Sequence, residues 1–155
     1  MEGDETVARC APALVALSCA LALSSCTHSS LSPDEVATRY VPVIGSVASV
    51  MAQHLEMTPV VEPGEVHTHS TAGRCEAWVR GAWDTPGIPA WDQPLIDEVN
   101  RVFRENDFAS DEKVSDAGGG HQGLVTTDNQ KASLEVLTRS GVEITVTVPV
   151  AGRYC

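Results

Sequence analysis

The chain has 155 residues, which is the length of one ordinary domain and too short for two sizeable cores. Apolar residues make up 43% and charged residues 20%, a composition that excludes an intrinsically disordered chain. The net charge of -11 excludes nucleic acid as an expected partner, because an acidic surface repels phosphates.

The first recognisable element is an uncharged, mainly apolar run over residues 10–23. A membrane-spanning helix needs roughly 20 such residues, whereas the apolar region of a signal peptide needs about 7–15. The run is followed by Leu23-Ser24-Ser25-Cys26, which resembles the bacterial lipobox. The resemblance implies cleavage before Cys26, a thioether-linked diacylglyceryl group on its sulfur, and a further acyl chain such as palmitate on its amine.

This pattern divides the chain into a lipoprotein signal peptide over 1–25, a lipid-anchored tether over 26–31 and a single domain over 32–155. The expected location is the cell membrane, with the domain held on its extracytoplasmic face by two or three lipid chains. The alternative is an ordinary secretory signal with a chance cysteine at its end. Residues 1–25 hold three acids and one base, which leaves 9 basic against 18 acidic side chains in the mature part.

The extreme N-terminus does not fit a signal peptide, which should start with positive charge. The segment MEGDETVAR holds three acids and one arginine. Translation from Val7, read as an alternative initiator, would leave Arg9 as the only charged side chain before the apolar run. Met1 and Val7 therefore both stand as candidate starts.

The mature domain opens with the helix signal Ser32-Pro33-Asp34-Glu35, in which serine caps, proline suits the first turn and glutamate completes a capping box. A stripe of residues at alternating four- and three-residue steps follows, which predicts a helix over about 33–56. The stripe comprises Val36, Tyr40, Val43, Val47, Val50 and His54. Pro42 lies inside this pattern and is expected to kink or split the helix.

Strand patterns and one further helix fill the rest of the domain. A second amphipathic helix is predicted over 94–106, with Leu95, Val99, Val102 and Phe103 buried and Asp97 paired with Arg101. Strands are predicted over 75–83, 123–127, 132–139 and 142–148, the last two joined by a tight turn at Ser140-Gly141, and residues 65–70 could be strand or loop. Residues 109–120 read as a polar connection. The order predicts an α+β two-layer sandwich, with two helices on one face of an antiparallel sheet of about four strands.

Two of the five cysteines remain after the signal peptide is removed and Cys26 is lipidated. Cys75 and Cys155 then lie in a compartment that permits disulfides, so we expect them to pair, the alternative being two free thiols.

The lipobox, a cysteine before a tryptophan-containing strand, an amphipathic helix and strands ending in a terminal cysteine together resemble small actinobacterial lipoproteins of the LppA type. The resemblance covers about residues 75–155 and the anchor. It implies the fold, the location, lipid on Cys26 and a disulfide between Cys75 and Cys155, and it implies no reaction.

The segment Glu65-Val66-His67-Thr68-His69 is the sharpest candidate for chemistry. In an extended segment Glu65, His67 and His69 point the same way, and two imidazoles at this spacing can share a zinc or copper ion. A further ligand, such as His121 or Asp128, would have to come from elsewhere. The alternative is a polar surface stretch with two solvated histidines.

Three tryptophans, Trp78, Trp83 and Trp91, are concentrated in one region together with Pro86 and Pro89. They could line a groove for an apolar or sugar ligand, or they could fill and cover the core.

Sequence motifs of enzymes are missing: there is no Gly-x-Ser-x-Gly elbow, no phosphate-binding Gly-x4-Gly-Lys loop and no His-Glu-x-x-His. Gly118–Gly120 lack a following lysine and read as a flexible turn. We expect no catalytic residues and no cofactor, and a lipid-anchored envelope protein that binds a small ligand or a partner protein. The alternatives are a metal-binding lipoprotein and an enzyme without a recognisable motif.

Overall fold

The structure is a computed structural model that describes residues 31–58, 64–85 and 90–155. The predicted signal peptide, the Cys26 lipid site and the tether up to residue 30 lie outside the described residues, as do Pro86 and Pro89. Across the three described ranges, no helix has the length and apolar character needed to cross a bilayer.

The first helix, α1, spans Pro33–His54 and begins with the predicted capping box. The Glu35 amide donates to Ser32 Oγ at 3.3 Å, and the Ser32 amide donates to Glu35 Oε2 at 2.7 Å. These bonds to Ser32, with a smaller contribution from Arg153, hold the pKa of Glu35 below its usual value. Pro42 is exposed and does not split the helix, because its neighbours on the buried stripe keep their packing.

The second helix, α2, spans Gln93–Glu105, with Asp92 as its N-cap accepting from the Leu95 amide at 3.0 Å. Its predicted buried stripe is confirmed. The predicted partner of Arg101 was wrong: the guanidinium binds Glu98 and Glu105, each at 2.7 Å, and these two carboxylates raise the pKa of Arg101.

Six antiparallel strands form one open sheet in the order β1-β2-β6-β5-β4-β3. Their bounds are β1 His67–Thr71, β2 Arg74–Asp84, β3 Ser115–Gly118, β4 His121–Thr127, β5 Ser133–Thr138 and β6 Gly141–Pro149. The predicted α+β class is confirmed, and the predicted strand count of about four was wrong. Of the two further strands, β1 falls in the segment that could be strand or loop, and β3 falls in the predicted polar connection. Both lie at the edges of the sheet and are exposed along their whole length, so they lack the apolar alternation by which a strand is recognised.

Both helices pack on one face of the sheet. α1 lies against α2, β2 and β6, and the core contains Val79, Ile144, Val146 and Phe103. Alternate residues of β2 and β6 point to the other face, which no described element covers. We call this second side the open face.

The two ends of the sheet differ. At one, the sulfur atoms of Cys75 and Cys155 lie at disulfide distance, in agreement with the predicted pair, and the Cα atoms are 5.8 Å apart. We call this the disulfide end. Nine residues along β2, about 30 Å away at strand rise, Asp84 pairs with Gly141 beside the β5–β6 turn. We call this the hairpin end.

A buried carboxylate ties α1 to the sheet at the disulfide end. The side chain of Asp128, in the β4–β5 turn, is fully buried. It accepts from the Tyr40 hydroxyl at 2.7 Å and from the amides of Gln130 and Ala132 at 2.8 and 2.9 Å. Arg39 lies 3.8 Å from the same carboxylate, so the buried charge is both hydrogen-bonded and paired.

Candidate functional site

The structure does not bring the three tryptophans of the predicted groove together. Trp83 is buried on the helix side of β2, and Trp78, five residues earlier, lies on the open face because strand side chains alternate. Trp91 precedes α2 and donates its indole N–H to Thr138 Oγ1 at 3.0 Å. Trp83 and Trp91 therefore pack with the core, and a shared groove was the wrong interpretation.

The histidines of the predicted metal site lie on the same face of β1, as expected, but both have other contacts. The ring of His67 packs on Trp78 with centroids 4.6 Å apart, and His69 Nε2 lies 3.6 Å from Glu76 Oε2. Glu65 is exposed ahead of the strand. Over the described ranges, no group of three or more His, Cys, Asp or Glu side chains is arranged to hold a metal ion.

The two residues suggested as a further metal ligand, His121 and Asp128, are not placed to coordinate a metal ion at His67 and His69. Asp128 is buried, and both of its carboxylate oxygens have donors. His121 begins β4, which is four strands from β1 in the sheet, or about 19 Å at the usual strand spacing.

A cavity of about 380 Å³ opens on the open face at the hairpin end. This volume is at the small end of the range of ligand pockets. Its floor includes the short or apolar side chains of Ala82 and Leu137, which face each other across Glu143 of β6. Charged side chains surround this floor, namely Arg80 and Asp84 from β2, Glu143 from β6 and Arg139 after β5. The imidazole of His121, from β4, also lines the cavity.

The charges around the cavity are only partly paired. Arg80 Nη2 lies 2.6 Å from Glu143 Oε2, and both side chains are partly exposed. Within the part of the chain that the structure describes, neither Arg139 nor Asp84 forms an ion pair. The cavity therefore has an uncompensated cation on its β5 side and an uncompensated anion on its β2 side.

The Arg139 side chain lies beside the β3–β4 turn. Gly118, Gly119 and Gly120 all have positive φ, between 62° and 83°, a conformation that glycine adopts without a Cβ clash. A Cβ placed on Gly120 would lie 3.8 Å from Arg139 Nε, so the guanidinium stem lies beside this turn. Arg139 thus extends toward β4, away from Asp84 on β2, and the two charges stay separated.

Sequence reasoning did not single out Arg80, Arg139 or Glu143. Alternation along β2 and β6 would have placed Arg80 and Glu143 on the wet side. That Glu143 lies beside Ala82 and Leu137, with Arg139 near His121, follows from the register of four strands, which no local pattern specifies.

Comparison with known proteins adds little. No protein-family model matches the chain, and no curated protein matches it. Among solved structures, a DUF4853 family protein from Actinomyces odontolyticus is similar, with 15% sequence identity, a TM-score of 0.47, and coverage of 77% of this chain and 68% of that chain. The predicted resemblance is thus supported only as a distant structural similarity to an actinobacterial protein, and nothing in it points to the LppA type.

Proposed function

We propose that this protein is an exported, lipid-anchored envelope protein whose α+β domain binds a small ligand in the cavity on its open face. The lipid would be carried by Cys26, and the domain would lie outside the cell membrane. The LppA-type resemblance belongs to this proposal, and it depends on the lipobox and on the positions of Cys75 and Cys155.

The proposed binding role is supported by the cavity on the open face. Two helices cover one face of the sheet, and the face they leave uncovered holds a concave space of about 380 Å³. Arg139 and Asp84 line it without ion-pair partners among the described residues, so their charges are available to a ligand. A flat interface for a partner protein would not need such a concavity, which favours a small ligand.

The proposed anchor would leave this cavity accessible. α1 begins at the disulfide end, where Glu35 lies near Arg153, so the tether joins the domain there. Five tether residues, Thr27 to Leu31, span at most about 18 Å. The cavity extends from Arg80, about 17 Å along β2 from Cys75, to Asp84, about 30 Å from it, and so lies on the side of the domain away from the proposed attachment point.

The anchor is tested by fatty-acid labelling in a bacterial host. We expect Cys26→Ser to abolish incorporation of an alkyne-labelled palmitate. Cys19→Ser, within the apolar run, is the matched control and should behave as wild type. Equal labelling of wild type and Cys26→Ser would refute the lipid site.

The binding role is tested by a thermal-shift screen against a collection of small polar metabolites. A ligand at 100 times its Kd stabilises the folded state by about 2.7 kcal/mol, which gives a measurable rise in Tm. The rise should be lost in Arg139→Gln and kept in Arg74→Gln, which removes an exposed arginine on the same strand face at the disulfide end. A collection in which no compound stabilises the protein, or a shift equal in both variants, would contradict a ligand site in this cavity.

A further inference from the structure

We propose that the ligand of the cavity is a short zwitterion of about dipeptide size, with its carboxylate toward Arg139 and its ammonium group toward Asp84. This inference rests on the proposed binding function and names the chemical class of the ligand. It is carried by the separation of charge across the cavity.

The β5 and β4 side of the cavity can bind an anion. Arg139 presents a guanidinium without a carboxylate partner in the described residues, and His121 lines the same side. A guanidinium is planar, and its fork of N–H donors matches the two oxygens of a carboxylate. The adjacent Gly118–Gly120 turn carries no side chains, so it leaves room for a ligand beside the guanidinium.

The β2 and β6 side can bind a cation. Asp84 has no ion-pair partner among the described residues, and Glu143 contributes a second carboxylate that Arg80 already neutralises. A simple anion bound to Arg139 would place negative charge in the same cavity as the exposed Asp84 carboxylate and would add to the negative charge of an already acidic chain of net charge -11. A phosphate dianion would add more, so these charges disfavour phosphates. A zwitterion compensates both sides and leaves the total charge unchanged.

The dimensions agree with a molecule of this kind. β2 and β5 are separated by β6, so the backbones that carry Asp84 and Arg139 lie two strand spacings, about 10 Å, apart. An extended dipeptide spans at most about 7 Å. On binding, the long and exposed side chain of Arg139 would turn from the β3–β4 turn toward β2, and Asp84 would reach from the other wall, which closes the difference. The floor of Ala82 and Leu137 then contacts the uncharged middle of the ligand.

The test uses three probes of matched size: L-alanyl-L-alanine, its N-acetyl form, which is an anion, and its C-terminal amide, which is a cation. Binding is measured by isothermal titration calorimetry on the full chain in detergent, at about 0.01 M ionic strength, where the Debye length is ~30 Å. We expect the dipeptide to bind about tenfold or more tightly than either blocked form, because each blocked form loses one charge-assisted contact.

Two variants assign the contacts to the two sides of the cavity. Arg139→Gln should weaken the dipeptide about tenfold while leaving the amide unchanged, and Asp84→Asn should weaken the dipeptide while leaving the N-acetyl form unchanged. Arg74→Gln should bind all three probes as wild type does. Near-UV circular dichroism of each variant checks that the domain is folded, and both substituted side chains are at the surface.

Equal affinity for the dipeptide and its N-acetyl form would overturn the inference and assign a simple anion to the site. Absence of binding by all three probes would also overturn it. In either case an Arg139-dependent thermal shift with another class of compound would leave the proposed binding function standing. If none of the three probes binds and no compound gives an Arg139-dependent thermal shift, the cavity is rejected as a ligand site.

Discussion

At the scale of single residues, the hydrogen bond from Tyr40 to Asp128 connects the first helix to the β4–β5 turn. Its donor belongs to α1, and its acceptor is a fully buried carboxylate that organises the turn through two backbone amides. Burial of the phenol, together with the Asp128 charge, raises the pKa of Tyr40 well above its usual range. The hydroxyl therefore remains a donor wherever the protein is folded at ordinary pH.

We expect Tyr40→Phe to lower the free energy of unfolding by about 1–3 kcal/mol, because it leaves a buried carboxylate oxygen without its hydroxyl donor. The measurement is urea denaturation followed by circular dichroism. Tyr154→Phe is the control: its hydroxyl accepts from Arg153 at the surface, so its loss should cost a few tenths of a kcal/mol. Equal effects of the two substitutions would contradict the role given to Asp128.

The same contact predicts a pH dependence. Since the folded-state pKa of Tyr40 is raised, the unfolded chain releases this proton first. The stability that Tyr40 contributes should be complete below about pH 10, the ordinary phenol value, and should decline as the pH rises above it. The difference in unfolding free energy between wild type and Tyr40→Phe, measured from pH 7 upward, should be constant at first and then shrink. A difference that grows above that value would be inconsistent with a raised pKa.

Replacement of two different glycines by alanine should change the stability of the domain in opposite directions. A Cβ on Gly123, in β4, would overlap the backbone carbonyl oxygen of Val136 on β5, so Gly123→Ala should destabilise the domain by about 2 kcal/mol or more. Gly45, within α1, has no atom within 4 Å of its Cβ position, and Gly45→Ala should stabilise by up to about 1 kcal/mol. Thermal unfolding of the two variants should therefore give a lower Tm for Gly123→Ala and a higher Tm for Gly45→Ala. A similar fall of Tm in both variants would show that the close approach of β4 to β5 does not cause the destabilisation.

At the scale of elements, the capping box of α1 is the local feature with the clearest energetic consequence. We expect Ser32→Ala to lower stability by about 1 kcal/mol, because the Glu35 amide loses its acceptor. Ser46→Ala, on the exposed side of the same helix, removes only a hydroxyl that donates to the Pro42 carbonyl and should be near neutral. Chemical denaturation of both variants measures the two free energies of unfolding. A larger loss of stability in Ser46→Ala than in Ser32→Ala would contradict the role of the capping box.

Local patterns predicted the helices and the central strands well, and they failed at the edges. The stripe from Val36 to Val47 and the alternation from Val142 to Val148 follow directly from burial on one side, so both could be read from sequence. Ser115–Gly118 is polar and exposed, and it forms a strand only because β4 offers it a partner. The cavity could not be predicted for a related reason: Arg139 and Asp84 come to line the same cavity through strand order, which no local pattern encodes.

At the scale of the whole molecule, the Cys75–Cys155 pair joins the start of β2 to the last residue of the chain. We expect the double variant Cys75→Ser/Cys155→Ser to lose about 2–5 kcal/mol of unfolding free energy, because the closed loop constrains a large part of the unfolded chain. Wild type in reductant should match the double variant. A double variant as stable as the oxidised wild type would show that the pair does not stabilise the fold.

The strand order also has a consequence for how quickly the domain can form. β3, β4, β5 and β6 follow one another through short turns, so their contacts are local, whereas β2 must find β6 across more than fifty intervening residues. Closing so long a loop is slow, and the two-stranded hairpin of β1 and β2 is marginal alone. Residues 115–149 should therefore collapse first on refolding, while α1, β1 and β2 dock in a later, rate-limiting phase. Until then the apolar stripe of α1 stays exposed, which makes the interval before docking the period of greatest vulnerability to proteolysis and aggregation.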